Sequence, residues 1–218
     1  MPSVTVGDDS GSSDRTRVSR RSALRSASLL AGLGAAGLGL SPLGADASGP
    51  ASAGGVGGAD DLPAPVRARL PDAMREAIAE AQQAALWPYG AVLVDVDTGA
   101  TVHTARNALE SGDPTLYAEV HALRGAALAG IDLRRTILVS TADPGPLAGS
   151  VAVWARVAGM VFGTSMATLL SLGWPEINIP VREVVAASPF PPVPVVGGVL
   201  AEETDRLYSG GPPPTNGP

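Results

Sequence analysis

Hydrophobic and polar positions along the chain predict a succession of helices and strands. Residues 71–86 are predicted to form a helix, because apolar side chains recur at steps of three and four: Met74, Ala77, Ile78, Ala81 and Ala85. Residues 89–95 and 100–105 are short apolar runs of strand type. The turn D-T-G at 97–99 lies between them and predicts an antiparallel hairpin.

The rest of the pattern alternates helices with strands. Helices are predicted at 115–129, 146–157, 168–172, 181–187 and 202–208, strands at 136–140 and 160–162, and a strand or loop at 193–200. Such an order predicts an α/β fold, a three-layer α/β/α sandwich with a mixed five-stranded sheet. The hairpin would be its one antiparallel edge pair, and the other connections would be parallel crossovers.

The first 47 residues have the pattern of an export signal. A basic stretch, S-R-R-S-A-L-R at 19–25, precedes an uncharged run at 26–45 and the small-residue site A-D-A at 45–47. The pair Arg20-Arg21 resembles the twin-arginine class of signals. We therefore expect residues 1–47 to be a cleaved signal and the protein to be secreted or extracytoplasmic. The alternative is a permanent membrane anchor, since about 20 uncharged residues can span a bilayer.

Composition divides the remaining sequence into a domain and two flanking segments. Residues 48–61 are mostly Gly, Ala and Ser and are predicted to be a disordered linker. The domain is predicted at 62–210, and residues 211–218 are predicted to be a disordered tail. The sequence contains no cysteine, so no disulfide contributes to its stability.

The charge of the protein makes nucleic acid an unfavourable partner. The formal net charge is −6, and removal of residues 1–47 leaves 10 basic and 17 acidic residues. An acidic surface repels phosphate backbones. We therefore expect no nucleic-acid partner, and contact with a membrane only during export.

Five stretches together resemble one known superfamily. They are P-Y-G-A-V-L-V-D (88–95), A-R-N (105–107), D-P-T-L-Y-A-E-V-H-A-L-R (113–124), T-A-D-P-G-P-L-A (141–148) and V-F-G-T-S (161–165). In order and spacing they resemble the cytidine/deoxycytidylate deaminase superfamily, most closely its branch of guanine, cytosine and tRNA adenosine deaminases. This resemblance implies the cytidine deaminase-like fold and, because members of that branch usually dimerise, a possible homodimer.

The resemblance also locates a metal site whose ligands are changed. The superfamily holds Zn²⁺ by one His and two Cys, in H-A-E and P-C-x-x-C, and the Glu moves protons. The H-A-E motif corresponds here to Tyr117-Ala118-Glu119, and the P-C-x-x-C motif to the segment from Pro144 to Ala148. The three ligand positions are therefore Tyr117, Gly145 and Ala148, so we expect no metal cofactor, while the proton-shuttle position, Glu119, is retained.

Further site residues follow from the same resemblance. Glu119 and Tyr117 are the candidate catalytic residues, and Asn107, Ala118, Pro144 and Gly145 are the candidate ligand-binding residues. Three of these residues also have a structural interpretation. Glu119 would be a first-turn acid favourable to the helix dipole, Asn107 a turn former and Tyr117 a cavity filler.

Two histidines are present in the sequence, and neither has a recognised metal-site spacing. His121 lies four residues after Tyr117, and a site formed by these two with Asp143 can be imagined. The simpler interpretation of His121 is a helix residue hydrogen-bonded to a neighbouring loop. His103 is interpreted as a half-exposed strand residue.

Three functions stay open at this point. The first is an exported, zinc-less deaminase-fold protein that binds a small nucleobase-like or other heterocyclic ligand or acts as a scaffold. The second is a metal-independent enzyme with Glu119 as base and Tyr117 or His121 as acid. The third is an active nucleobase or nucleoside deaminase with an atypical metal site.

Overall fold

The computed structural model describes residues 57–213. Its main elements are α1 (Ala64–Ala81), β1 (Gly90–Asp95), β2 (Thr101–Arg106), α2 (Ala118–Leu128), β3 (Thr136–Ala142), α3 (Gly145–Ala155), β4 (Gly159–Thr164), α4 (Met166–Ser171), α5 (Val181–Ala187), β5 (Val195–Val196) and α6 (Ala201–Tyr208). The predicted export signal, most of the predicted linker and the end of the predicted tail lie outside the described residues. The last three linker positions form a turn, Ala59–Asp61. Within 57–213, no helix has both the length and the apolar character that a membrane span requires.

The five strands form one mixed sheet in the order β2-β1-β3-β4-β5. The predicted hairpin of β1 and β2 is antiparallel, and the pairs β3–β4 and β4–β5 are parallel. A second antiparallel pair, β1 with β3, was not predicted. It arises because the crossover from β2 through α2 to β3 passes over β1 instead of placing β3 next to β2.

Alternate residues of the strands divide the core into two layers, as a period of two requires. Val92 and Val94 of β1 pack with the buried side chains of α1, including Met74. Ala91 and Leu93, on the opposite face, pack with α2. Helix α6 lies beside α1, where Glu203 is 3.7 Å from Arg75. The arrangement confirms the predicted α/β sandwich with a mixed five-stranded sheet.

Helix α1 begins and ends earlier than its pattern predicts. It begins at Ala64, with a proline in its first turn, and the buried side chains of Val66 and Leu70 extend the apolar stripe before Pro71. Pro71 is exposed inside the helix, where it costs one backbone hydrogen bond instead of starting the helix. The helix ends at Ala81, and Leu86, its predicted end, is 55% exposed.

Helix α2 begins three residues later than predicted. Asp113 accepts hydrogen bonds from the backbone nitrogen (2.9 Å) and hydroxyl (2.6 Å) of Thr115, which fixes a turn before the helix. Tyr117 has extended backbone angles and is the N-cap. Because the helix starts later, Tyr117 directly precedes its first residue instead of lying within its first turn.

Candidate functional site

Residues that the sequence singles out lie together at one edge of the sheet, the edge formed by the carboxyl ends of β2 and β3. Asn107 follows β2, and Asp143 follows β3. Strand β1 runs antiparallel to both, so Tyr89, which precedes it, lies at the same edge. Glu119 is in the first turn of α2, which begins at this edge.

Glu119 is buried against the sheet. Its side chain is 3% exposed, and Ser140 of β3 donates a hydrogen bond to its Oε1 over 2.5 Å. Burial, together with the nearby carboxyls of Glu176 and Asp143, raises the pKa of Glu119 to about 7, and the bond from Ser140 opposes the shift. The carboxyl is thus poised to exchange a proton near neutral pH while its surroundings exclude water.

A small cavity opens beside Glu119. It measures about 90 Å³, and its main walls are the side chains of Trp87, Tyr89, Asn107, Leu109, Tyr117 and Glu176. Of the predicted site residues, Asn107 and Tyr117 line this cavity. The others are not part of its lining and are buried: Ala118, Glu119, Pro144, Gly145 and Ala148.

The side chain of Asn107 uses its oxygen in a structural hydrogen bond and leaves its nitrogen without a protein partner within residues 57–213. The residue is 2% exposed, its backbone nitrogen donates to Tyr89 O (3.0 Å), and its Oδ1 accepts from the backbone nitrogen of Leu109 (3.0 Å). The bond to Leu109 is the turn-forming contact that the structural alternative anticipates. The side-chain nitrogen Nδ2 makes no hydrogen bond within residues 57–213, which leaves one donor for an occupant of the cavity.

Glu176 and Tyr89 are site residues that the sequence pattern did not single out. The hydroxyl of Tyr89 donates to Glu176 Oε1 over 2.8 Å. Burial raises the pKa of Glu176, and burial together with the Glu176 carboxyl raises that of Tyr89. Glu176 lies in the loop between α4 and α5, where no periodicity marks a functional side chain.

Tyr117 occupies the position where the resemblance expects a histidine ligand. It is half-buried, and its pKa is raised by burial and by the carboxyls of Glu176 and Glu119. Because its ring forms part of the cavity wall, it narrows this space without closing it.

Asp143 ties two helices together. The residue is 7% exposed, and its Oδ1 accepts from the backbone nitrogens of Gly145 (3.0 Å) and Val181 (2.9 Å), at the starts of α3 and α5. Burial raises its pKa, and both bonds act in the opposite direction. Its carboxyl group thus serves the architecture of the loop.

Neither histidine joins a cluster of possible metal ligands. The Nδ1 of His121 is 3.0 Å from Arg106 O, at the end of β2, in accord with its structural interpretation. His103 is half-exposed in the middle of β2 and packs against Gly125 of α2. Among the residues that the structure describes, no group of three or more His, Cys, Asp or Glu could hold a metal ion.

The residues at the expected ligand positions do not fit a zinc ion. Gly145 and Ala148 have no ligating atom in their side chains, and both are buried. Gly145 has a φ of +60°, and a Cβ there would lie 3.3 Å from the terminal methyl of Met166. A cysteine side chain at 145 would therefore meet both backbone strain and the Met166 side chain.

Four aromatic side chains form the floor behind the cavity. Trp174 packs edge-on against Trp87, Tyr89 and Tyr208, with ring centroids 5.8, 5.6 and 5.3 Å apart. Its Nε1 donates to Tyr208 O (2.9 Å), and the Tyr208 hydroxyl donates to Thr141 Oγ1 (2.8 Å). The cluster joins α6 to the sheet edge at which the cavity lies.

Comparison with known families matches the central part of this domain. Residues 68–164 match the model of the cytidine and deoxycytidylate deaminase zinc-binding region. The chain is also 39% identical over 142 residues to the tRNA(Ile)-lysidine synthase of Deinococcus radiodurans, which covers 62% of this chain and 23% of that protein. The chain thus spans about a quarter of the length of this curated relative.

Solved structures give the same fold. A guanine deaminase from Nitrosomonas europaea is similar with a TM-score of 0.55 and 21% identity, over 67% of this chain and 83% of that one. A structure from a study of A-to-I editing by tRNA:A34 deaminases is similar with a TM-score of 0.52 and 22% identity, over 62% of this chain and 98% of that one. The described domain therefore has the cytidine deaminase-like α/β fold, and the comparisons support the cytidine/deoxycytidylate deaminase superfamily for its central region.

Proposed function

We propose that this protein is a zinc-independent member of the deaminase fold that binds a small ligand and does not perform hydrolytic deamination. The observation that carries the proposal is that all three expected ligand positions are changed while a cavity remains. The positions hold Tyr117, Gly145 and Ala148, yet Tyr117 lines a cavity together with Asn107 and Glu176. A scaffold without a ligand is the competing role.

The chemistry of deamination supports the loss of that activity. Hydrolytic deamination requires an activated water, and a zinc ion supplies it by lowering the pKa of water from about 16 to about 7. The carboxyl of Glu119 has no metal-ligand set beside it among the described residues, and Ser140 occupies its Oε1. Glu119 can hold or release a proton, but its position gives it no route to generate hydroxide.

Purified full-length protein is expected to contain less than about 0.1 equivalent of zinc after exposure to zinc and gel filtration, because its ligand positions lack donor atoms. Elemental analysis by mass spectrometry measures this content. The same protein should release no ammonia from cytosine, guanine, adenosine or cytidine. His121→Ala is the matched control, since any zinc on an accidental histidine site would fall in that variant. One tightly bound equivalent with ammonia release would show an atypical but active deaminase.

A metal-independent acid–base enzyme is the second candidate, favoured by the pKa of Glu119 near 7. General acid–base catalysis contributes about 10²–10⁴-fold, so the substrate would have to be intrinsically reactive. Because Glu119 is not part of the cavity lining, a substrate proton would have to reach it through Tyr117 or a local opening. The small-ligand function requires no such step and is therefore preferred.

The size of the cavity restricts the ligand. Cavities that enclose a single benzene ring measure about 150 Å³, whereas this one measures about 90 Å³. A one-ring heterocycle would extend out of it, and a two-ring nucleobase would do so further. The proposed ligand is therefore small, or inserts only one end. Export through residues 1–47 is part of the same proposal and rests on the sequence pattern.

We further propose that a second copy of this chain covers the apolar face of α3. Leu147 and Trp154 on this helix, and Ile177 and Ile179 in the loop between α4 and α5, are 40–71% exposed. The hollow along α3 measures about 650 Å³, and none of its lining side chains is charged. Because the protein carries a net charge of −6, contact across an uncharged face keeps the acidic side chains of two copies out of the interface.

Trp154→Glu is expected to convert a dimer into a monomer, because it places a charge at the centre of this face. Light scattering coupled to gel filtration, at about 100 µM protein, measures the mass. Leu128→Glu changes a similarly exposed side chain, 87% accessible on α2, and should leave the dimer intact. A monomeric unmodified protein at this concentration would refute the interface.

A further inference from the structure

The cavity has walls suited to a positive charge. Trp87, Tyr89 and Tyr117 contribute three aromatic rings, and Glu176 contributes a carboxyl group. Aromatic faces attract cations through the negative potential of the ring, and alkylammonium ions are held in cages of such side chains. A cavity of about 90 Å³ keeps its occupant close to every wall.

The charged side chain in the cavity wall is acidic, and two further carboxyls lie near it. None of the residues that line it is basic. Burial raises the pKa values of Glu119 and Glu176, and neighbouring carboxyls add to both shifts: those of Glu176 and Asp143 for Glu119, and that of Asp143 for Glu176. Asp143 has a partly compensating positive charge, because the guanidinium of Arg182 acts to lower its pKa against the effect of burial. The Nη2 of Arg182 itself donates to Val195 O. A bound cation would relieve this repulsion, whereas an anion would increase it.

Asn107 adds a polar contact to the same space. The side chain is buried and lines the cavity, and its Nδ2 has no partner within residues 57–213. A side-chain donor that is free of protein partners favours a ligand with an oxygen acceptor. The complement of these walls is a compact ammonium group with a hydroxyl or ether oxygen near it.

We propose that the cavity formed by Trp87, Tyr89, Tyr117, Asn107 and Glu176 binds the ammonium end of a small organic ammonium ion such as choline. This inference rests on the proposed small-ligand function and names the chemical class of the ligand. It departs from the nucleobase-like ligand that the sequence suggests, because the walls select for charge and the space is too small for two rings.

Titration calorimetry of full-length protein tests the proposal with three probes: choline, tetramethylammonium and 3,3-dimethyl-1-butanol, the uncharged carbon analogue of choline. Chloride concentration is matched with sodium chloride. Both cations are expected to bind with dissociation constants below about 1 mM, and the uncharged analogue at least about ten times more weakly. Equal binding of the analogue would overturn the proposal without any variant.

Two variants locate the site. Glu176→Gln removes the charge at nearly constant shape and should weaken choline binding about tenfold or more, and Tyr117→Leu removes one ring and should weaken it about fivefold. Glu183→Gln, at an exposed site on α5, is the matched control and should leave the affinity unchanged. Full affinity in both cavity variants would place the cation elsewhere and overturn the proposal.

The outcomes separate this inference from the function beneath it. If cytosine or guanine binds in the cavity and the ammonium ions do not, the cation proposal fails and the small-ligand function stands. If none of these compounds binds at concentrations up to about 10 mM, both fail and the scaffold role is favoured. Circular dichroism of each variant confirms that a lost affinity is not a lost fold.

Discussion

Replacing Glu119 with glutamine is expected to make the protein more stable at pH 8. The pKa of this buried carboxyl rises from 4.5 to about 7 on folding, so the folded state holds the proton more tightly than the unfolded state. The contribution of Glu119 to the free energy of unfolding is fully present below pH 4.5 and is lost as the pH rises to about 7. Ionising the carboxyl in the folded protein thus costs up to about 3 kcal/mol above pH 7.

Glutamine avoids that cost because it stays neutral, and its side-chain oxygen can still accept the hydrogen bond from Ser140. The free energy of unfolding, measured by urea titration, should agree within about 1 kcal/mol between Glu119→Gln and the unmodified protein at pH 5. At pH 8 the variant should be more stable by about 1–3 kcal/mol. Asp143 and Glu176 have raised pKa values as well, so the variant should keep a smaller slope of the same sign.

Glu183→Gln is the control for the loss of a carboxyl group. It lies exposed on α5 and should change the free energy of unfolding by no more than about 0.5 kcal/mol at either pH. An equal loss of stability at pH 5 and pH 8 in Glu119→Gln would contradict the prediction. That result would mean that folding does not raise the pKa of this carboxyl.

The second large effect is expected from Gly90→Ala. Gly90 begins β1 where the strand crosses α1, and a Cβ there would lie 2.0 Å from Ala77 O and 2.6 Å from Ala81 N. Both are backbone atoms, which cannot move aside as a flexible side chain could. The helix and strand would have to separate, so the free energy of unfolding should fall by about 3 kcal/mol or more.

Gly58→Ala is the matched control, because its Cβ would meet nothing within 4 Å and its φ is −102°. Thermal unfolding followed by circular dichroism should show a large decrease in the melting temperature for Gly90→Ala and almost none for Gly58→Ala. Similar small shifts in both variants would mean that the spacing of α1 and β1 adjusts easily.

The sequence predicts elements well where their signal is local. Helix α5 has the predicted bounds, and the hairpin of β1 and β2 forms around the predicted turn. The predictions from the sequence fail where contacts between distant residues decide the bounds of a helix or the pairing of a strand. Pro71 is tolerated inside α1 because Val66 and Leu70 bury the preceding turn, and β3 pairs with β1 because α2 carries the polypeptide over that strand.

The site divides in the same way. Asn107 and Tyr117 were identified through the motifs that contain them, and both line the cavity. Glu176 was not identified, because its partner Tyr89 is 87 positions away in the sequence. The loop between α4 and α5, which contains Glu176, has no pattern that marks a functional side chain. The contact of Glu119 with Ser140 likewise depends on the pairing of a helix with a strand, which no local motif encodes.

The aromatic floor of the cavity has a consequence for the order in which the protein is made. Tyr89 and Trp174 pack against Tyr208, whose hydroxyl also bonds Thr141. A nascent polypeptide that has not yet reached residue 208 therefore lacks the side chain that covers the other two rings. The aromatic cluster can therefore form only after α6 has been synthesised and has packed against the sheet.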